Sequence, residues 1–218
     1  MKNKPRYPIS QFLWFEASAA HLRTVADLID DVHLVTIIPQ TIVRSVAGLV
    51  ARGQYKPSQT NATDLIEVHS AINDAEMSLL HELGHLLDYR AIGKSSSYAS
   101  QTEKALSRLQ RAMNQSQAVK TLEQHLSVFL TRPDATGQQF RQSTQKYLSY
   151  LLLKRELFAR AYTQYIVMKS QSPQLLRQLD AIRYNPKDPF RFRQWEASDF
   201  QPIFAEFDQL FRRWGWSQ

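Results

Sequence analysis

Apolar and polar residues along this chain change their period several times, and each change marks an element. Ser10 precedes a compact group, Phe12, Leu13, Trp14 and Phe15, which predicts a short capped helix. Val25, Leu28 and Ile29 recur at helical spacing in residues 24–31. Residues 33–38 are β-branched and stop at Pro39, which predicts a strand. Residues 49–56 and 64–70 predict two more strands across a polar turn, a hairpin. In the second of these Leu65, Glu67 and His69 alternate with Ile66 and Val68. Residues 75–89 contain no proline and carry Leu79, Leu80, Leu83, Leu86 and Leu87 as a helical stripe, with Asn73 or Asp74 placed to cap it.

Beyond a polar loop at 93–100, residues 102–130 read as helix. Pro133 and Gly137 break the pattern, and 138–170 form a long helical stretch free of both residue types. Pro173 opens another helix through Ile182, and a proline-rich connection fills 184–192. Ser198 is placed to cap a last helix, whose Phe200, Ile203, Phe204, Phe207, Leu210, Phe211 and Trp214 form one apolar face ending at Gly215. The succession predicts one α+β domain. Residues 1–20 are an extension with a loose basic start, 30–90 hold a small sheet of about three strands packed on a helix, and 100–215 are helical.

Composition narrows the chemistry. The chain has 218 residues, 43% hydrophobic, enough for a core. It has no cysteine, which excludes thiolate zinc sites, disulfides and a cysteine nucleophile. Any metal must then sit on His, Asp or Glu. The net charge is +7 and the sequence pI about 9.7, yet the basic residues are spread without a block of five. No signal peptide and no apolar run of membrane-spanning length is read, so the expected location is the cytoplasm, with delivery as an effector compatible with the same features.

The chemistry concentrates at His81-Glu82-Leu83-Gly84-His85. On a helix, residues four apart share a face, so both imidazoles can reach one metal ion. Glu82 points beside it, placed to take a proton from a bound water. A catalytic zinc site needs a third protein ligand. The next histidine after His85 is His125, so a carboxylate from a later helix is the remaining solution, and Glu156 is the best candidate. Small residues, Gly84 on one helix with Ala159 and Ala161 on the other, allow close helix approach. Spacing alone leaves a second reading equal to the first, an exposed Glu156 paired with Arg160 four residues on. Asp88 shares the face of His81 and His85 and suits a hydrogen bond to a histidine Nδ1–H. His21, His33, His69 and His125 read as structural or surface residues.

His81-Glu82-Leu83-Gly84-His85-Leu86-Leu87-Asp88, followed by Arg155-Glu156-Leu157-Phe158-Ala159-Arg160-Ala161-Tyr162, resembles the zincin metallopeptidases of the glutamate-ligand type. More narrowly, the chain is similar to lethal-factor-type toxin catalytic domains and to the zincin-like proteins of phages and mobile elements. The resemblance implies a zincin-like fold, a Zn²⁺ cofactor on His81, His85 and Glu156, and peptide hydrolysis with Glu82 as the proton acceptor. It also implies a tyrosine shortly before the glutamate ligand as oxyanion stabiliser. Tyr147 and Tyr150 are the candidates, at spacings that differ from the toxin pattern, and Tyr98 is another. The expected partner is a protein or peptide substrate. The competing expectation is a non-catalytic, basic helical module of a phage or mobile element that binds nucleic acid or protein.

Overall fold

A computed structural model describes residues 5–60, 62–93, 97–131, 138–184 and 194–217. The fold is α+β, mainly helical, with one small mixed sheet. Strands β1 (Leu13–Phe15), β2 (Gln40–Val46), β3 (Gly53–Lys56) and β4 (Thr63–His69) lie in the order β1-β2-β4-β3. The first three neighbours are parallel and β3 is antiparallel to β4. A parallel neighbour requires a crossover, and helix α1 (Arg23–Val32) supplies it between β1 and β2. Strand β4 passes over β3 to pair with β2, which leaves β3 at the sheet edge beside helix α2 (Ala75–Leu86).

Helix α2 runs on into a wider π-type turn at Leu87–Ile92. Short α3 (Ala99–Thr102), α4 (Ser107–Gln115), α5 (Gln117–Thr131) and α6 (Gln138–Leu151) follow. Helix α7 (Lys154–Ser170) is buried on every side from Glu156 to Val167, the mark of a central helix. Helices α8 (Pro173–Arg183) and α9 (Ala197–Trp214) cover it. The aromatic stripe of α9 is core: Phe207 packs on Phe158 and Tyr165, and Phe211 on Tyr165 and Trp216. Among the described residues no helix is long and apolar enough to cross a membrane.

Several elements differ from the sequence expectation. The sheet has four strands rather than three. The expected helix at residues 10–15 is a 3₁₀ turn (Ile9–Phe12) and then β1, because Leu13 and Phe15 face the core while Trp14 faces out. Residues 13–15 of the expected extension therefore belong to the sheet. Tyr7 exchanges backbone bonds with Val35 at 2.9 Å and Arg6 donates to the Trp214 carbonyl, while residues 1–4 of the expected loose start lie outside the described residues. The strand expected at 33–38 lies after Pro39 instead. Gln40, Arg44 and Ser45 mask its alternation, while His33 and Val35 make only isolated bridges. The second strand begins at Gly53, not residue 49. The helix expected over 102–130 breaks at Ser116, whose hydroxyl takes up the Trp195 indole N–H. The helix expected over 138–170 breaks between α6 and α7, where Leu153 is extended. Glu196, not Ser198, precedes α9, and Asp74 precedes α2 but gives its carboxylate to Arg52 rather than to the helix end. The break at 132–137 and most of the 184–192 connection fall outside the described residues.

The contact that joins the two halves is Gly84 against Ala159. A Cβ added at Gly84 would lie 2.9 Å from Ala159 Cα and 3.3 Å from its Cβ. Backbone cannot move aside as a side-chain tip can, so Gly84→Ala should cost about 1–3 kcal/mol by overpacking. A melting temperature equal to wild type would show that α2 and α7 are not held this close.

Candidate metal centre

Helix α2 points His81 and His85 at the first turn of α7. The two rings lie 4.8 Å apart, nearly perpendicular at 89°. Glu156 sits between them, with Oε2 3.2 Å from His81 Nε2 and Oε1 3.4 Å from His85 Nε2. The ligand atoms of the three residues all lie within 4.8 Å of one another. Glu156 and His85 are buried and His81 is half-buried. Burial works against the Glu156 carboxylate, but the hydrogen bonds from His81 and His85 outweigh it and hold the acid well below its ordinary range. Two imidazole nitrogens and one carboxylate, converging from two helices with one side open to a cavity, form a donor set that suits a divalent metal such as zinc.

Glu156 reaches this place by a local accident of the chain. It lies in the first turn of α7, not in the middle of a long helix, because the chain breaks at Leu153. A helix N-terminus favours a carboxylate. The Gly84–Ala159 contact then brings the two helices together one turn further on. Glu156 is buried, not exposed as the alternative pairing with Arg160 requires. Arg155 lies 3.4 Å from Glu156, while Arg160 donates to the Leu151 carbonyl and covers the Trp195 ring.

Glu82 is buried against the edge strand. The Arg52 carbonyl accepts from His69 N–H. In an antiparallel pair the backbone groups of alternate residues face alternate sides, so Gly53 and Tyr55 turn theirs outward. The Tyr55 N–H donates to the Glu82 carboxylate, and at Gly53 a Cβ would lie 2.9 Å from both Cγ and Oε1 of Glu82. Glycine is there because the carboxylate fills the space of a side chain. Burial lifts Glu82 to about 7, with His81 pulling the other way. Tyr55 is itself anchored: its hydroxyl donates to Asp64 at 2.6 Å, and Arg90 grips Asp64 at 2.7 and 2.8 Å. The sequence reading missed this brace, whose three members, Tyr55, Asp64 and Arg90, are spread along the chain with no motif to mark them.

The three tyrosine candidates all lie near the centre. Tyr150 is hydrogen-bonded through its phenol to Glu156, and burial with that carboxylate raises its pKa well above the ordinary value. Tyr147 lines the same cavity as His81 and Glu82. Tyr98 stands on the other side, 5.8 Å from the His85 ring, with the Arg155 guanidinium over it, and burial pushes it up to about 12.

Asp88 does not serve a histidine. Both its oxygens accept from Ser100, at 2.7 Å from the backbone N–H and 2.5 Å from the hydroxyl. The His85 Nδ1 is buried without a hydrogen-bond partner among the described residues. Asp88 instead ties the end of α2 to α3. Of the remaining histidines, His33 is fully buried, 2.9 Å from the Tyr162 hydroxyl and flanked by Phe211 and Trp216, and burial lowers it to about 4. His69 accepts from the Ala71 N–H at 3.0 Å. Comparison of the chain with family models, with characterised proteins and with solved structures gives no match.

The Asp88–Ser100 pair gives a pH-dependent prediction. Burial lifts Asp88 from 3.8 to about 7. An acid raised on folding binds its proton more tightly in the folded chain, so its contribution is full below about pH 4 and declines toward pH 7. Ser100→Ala removes a donor to the charged form and should steepen that decline, costing about 1–3 kcal/mol above pH 7 and less below pH 5. Denaturant titrations at pH 5 and 8 measure it; an equal loss at both would contradict the assignment.

Proposed function

We propose that this chain is a zinc-dependent peptidase of the glutamate-ligand zincin type. One observation carries the reading: His81, His85 and Glu156 converge, and a second buried carboxylate, Glu82, stands beside them without joining the cluster. A purely structural metal site has no use for that carboxylate. Zinc held by the three residues would polarise a scissile carbonyl and acidify a water for attack. Glu82 accepts the proton of the attacking water and returns it to the leaving nitrogen. Tyr55 N–H and the missing side chain of Gly53 hold Glu82 in its orientation. Tyr150, whose O–H donates to Glu156 in the resting site, can turn that donor to the oxygen that gains charge as the carbonyl is attacked. Strand β3 is a sheet edge with the outward backbone groups of Gly53 at the cavity wall, so an extended peptide can pair there and lie across the centre.

Metal counting and a peptide-cleavage assay test the reading together. The folded wild type should hold one zinc, and Glu156→Ala should bind it far more weakly. Glu82→Gln should keep the zinc and the fold yet lose cleavage by about 100-fold or more. A Glu82→Gln chain as active as wild type would end the mechanism. A folded wild type that takes up no zinc would end the metal site and favour the basic interaction module.

A further inference from the structure

The cavity beside His81 and Glu82 has a volume of about 440 Å³, room for a large side chain. Met77 and Ile182 make part of its wall apolar. The charged groups of the lining are already engaged. Arg52 and Asp74 pair at 2.7 Å, Arg160 donates to the Leu151 carbonyl at 2.7 Å, and Glu82 takes the Tyr55 N–H. Three neutral side chains of the lining keep hydrogen-bonding capacity. Ser78 and Thr163 each give their one hydroxyl hydrogen to a backbone carbonyl, that of Asp74 at 3.3 Å and that of Ala159 at 2.8 Å. In that arrangement each hydroxyl oxygen can only accept from a ligand. Gln194 is the third, at 8% exposure, and its Oε1 is buried with no hydrogen-bond partner among the described residues. Its backbone is held through the next residue: Gln164 accepts from the Trp195 N–H at 3.0 Å and donates to the Trp195 carbonyl at 2.9 Å.

A buried amide oxygen without a partner is costly, and a ligand that pairs with the amide recovers the loss. The amide of Gln194 turns about a soft terminal torsion, so either its oxygen or its nitrogen can be brought to face the cavity. The group that answers an amide together with two accepting hydroxyls gives two hydrogens and takes one, which is a carboxamide. A carboxylate has no hydrogen for the hydroxyls. An ammonium would leave water with no uncommitted countercharge in the lining. An alkyl chain would leave all three groups unanswered. On the peptidase reading, on which this inference rests, Glu82 returns a proton to the departing nitrogen. The residue that carries this nitrogen then lies next to the cavity that Glu82 lines. We infer that Gln194, with Ser78 and Thr163, selects a glutamine or asparagine as the residue that follows the scissile bond.

Ligands that resemble the departing product test this by calorimetry on the zinc-loaded chain, without turnover. Glutaminyl-alanine amide is compared with its methionyl and glutamyl counterparts, and asparaginyl-alanine amide with its leucyl and aspartyl ones. In at least one set the carboxamide should bind about tenfold more tightly than both counterparts. Gln194→Met, which keeps the length and removes the amide, should abolish that preference. A carboxamide equalled by its apolar or acidic counterpart in both sets would overturn the inference. So would a preference that survives Gln194→Met in a chain that melts like wild type. The wild-type comparison stands even where Gln194→Met fails to fold. A chain that cleaves peptides but does not discriminate would remove the subsite and leave the peptidase; one that discriminates but never cleaves would keep the carboxamide site and remove the peptidase.

Discussion

The close approach of α2 and α7 is the constraint on which the centre depends. Two histidines on one helix and a glutamate on another meet only where the axes come near, and side chains of ordinary size would hold them apart. Gly84 removes the obstacle on one helix and Ala159 nearly removes it on the other. The glycine that lies inside the histidine pair is thus part of the site's construction, although it touches no ligand. Its cost in helix propensity, about 1 kcal/mol against alanine, is offset by the packing of a central, fully surrounded α7.

A second constraint is the number of polar groups taken out of water around the centre. Asp64, Glu82, Asp88 and Glu156 are all buried. Each is answered by its own donors: Tyr55 and Arg90 for Asp64, Tyr55 N–H for Glu82, Ser100 for Asp88, the histidines and Tyr150 for Glu156. An unanswered buried carboxylate is costly, so these bonds fix geometry as well as stabilise it. Tyr55 joins two of the groups, with its hydroxyl on Asp64 and its backbone on Glu82.

Much of this centre was legible in the sequence because it is local. His81, Glu82 and His85 are fixed by helix periodicity, and the small residues Gly84 and Ala159 pointed to the helix contact that the fold contains. The hairpin before α2 and the aromatic face of α9 were read for the same reason: strong alternation or strong three-and-four spacing. The misses have a common cause. Strand β2 hides its alternation behind polar residues on a sheet face, and β1 is too short to show a period. The break before α7 carries neither glycine nor proline, only Leu152 and Leu153, so no local signal announced it. The partners of Asp88 and of Tyr55 are set by tertiary packing, where spacing along the chain says nothing. Gly53 stood in plain view inside a strand, but its reason, the carboxylate of Glu82, lies on another element.

On the proposed reading His81, His85 and Glu156 together hold one metal ion. X-ray absorption on the zinc-loaded chain tests it most directly. One zinc per chain is expected in a shell of four, with two imidazoles resolved by their outer-ring scattering and the remaining ligands nitrogen or oxygen at about 2.0–2.2 Å. A shell without imidazole, or a spectrum unchanged in Glu156→Ala and His85→Ala, would contradict it.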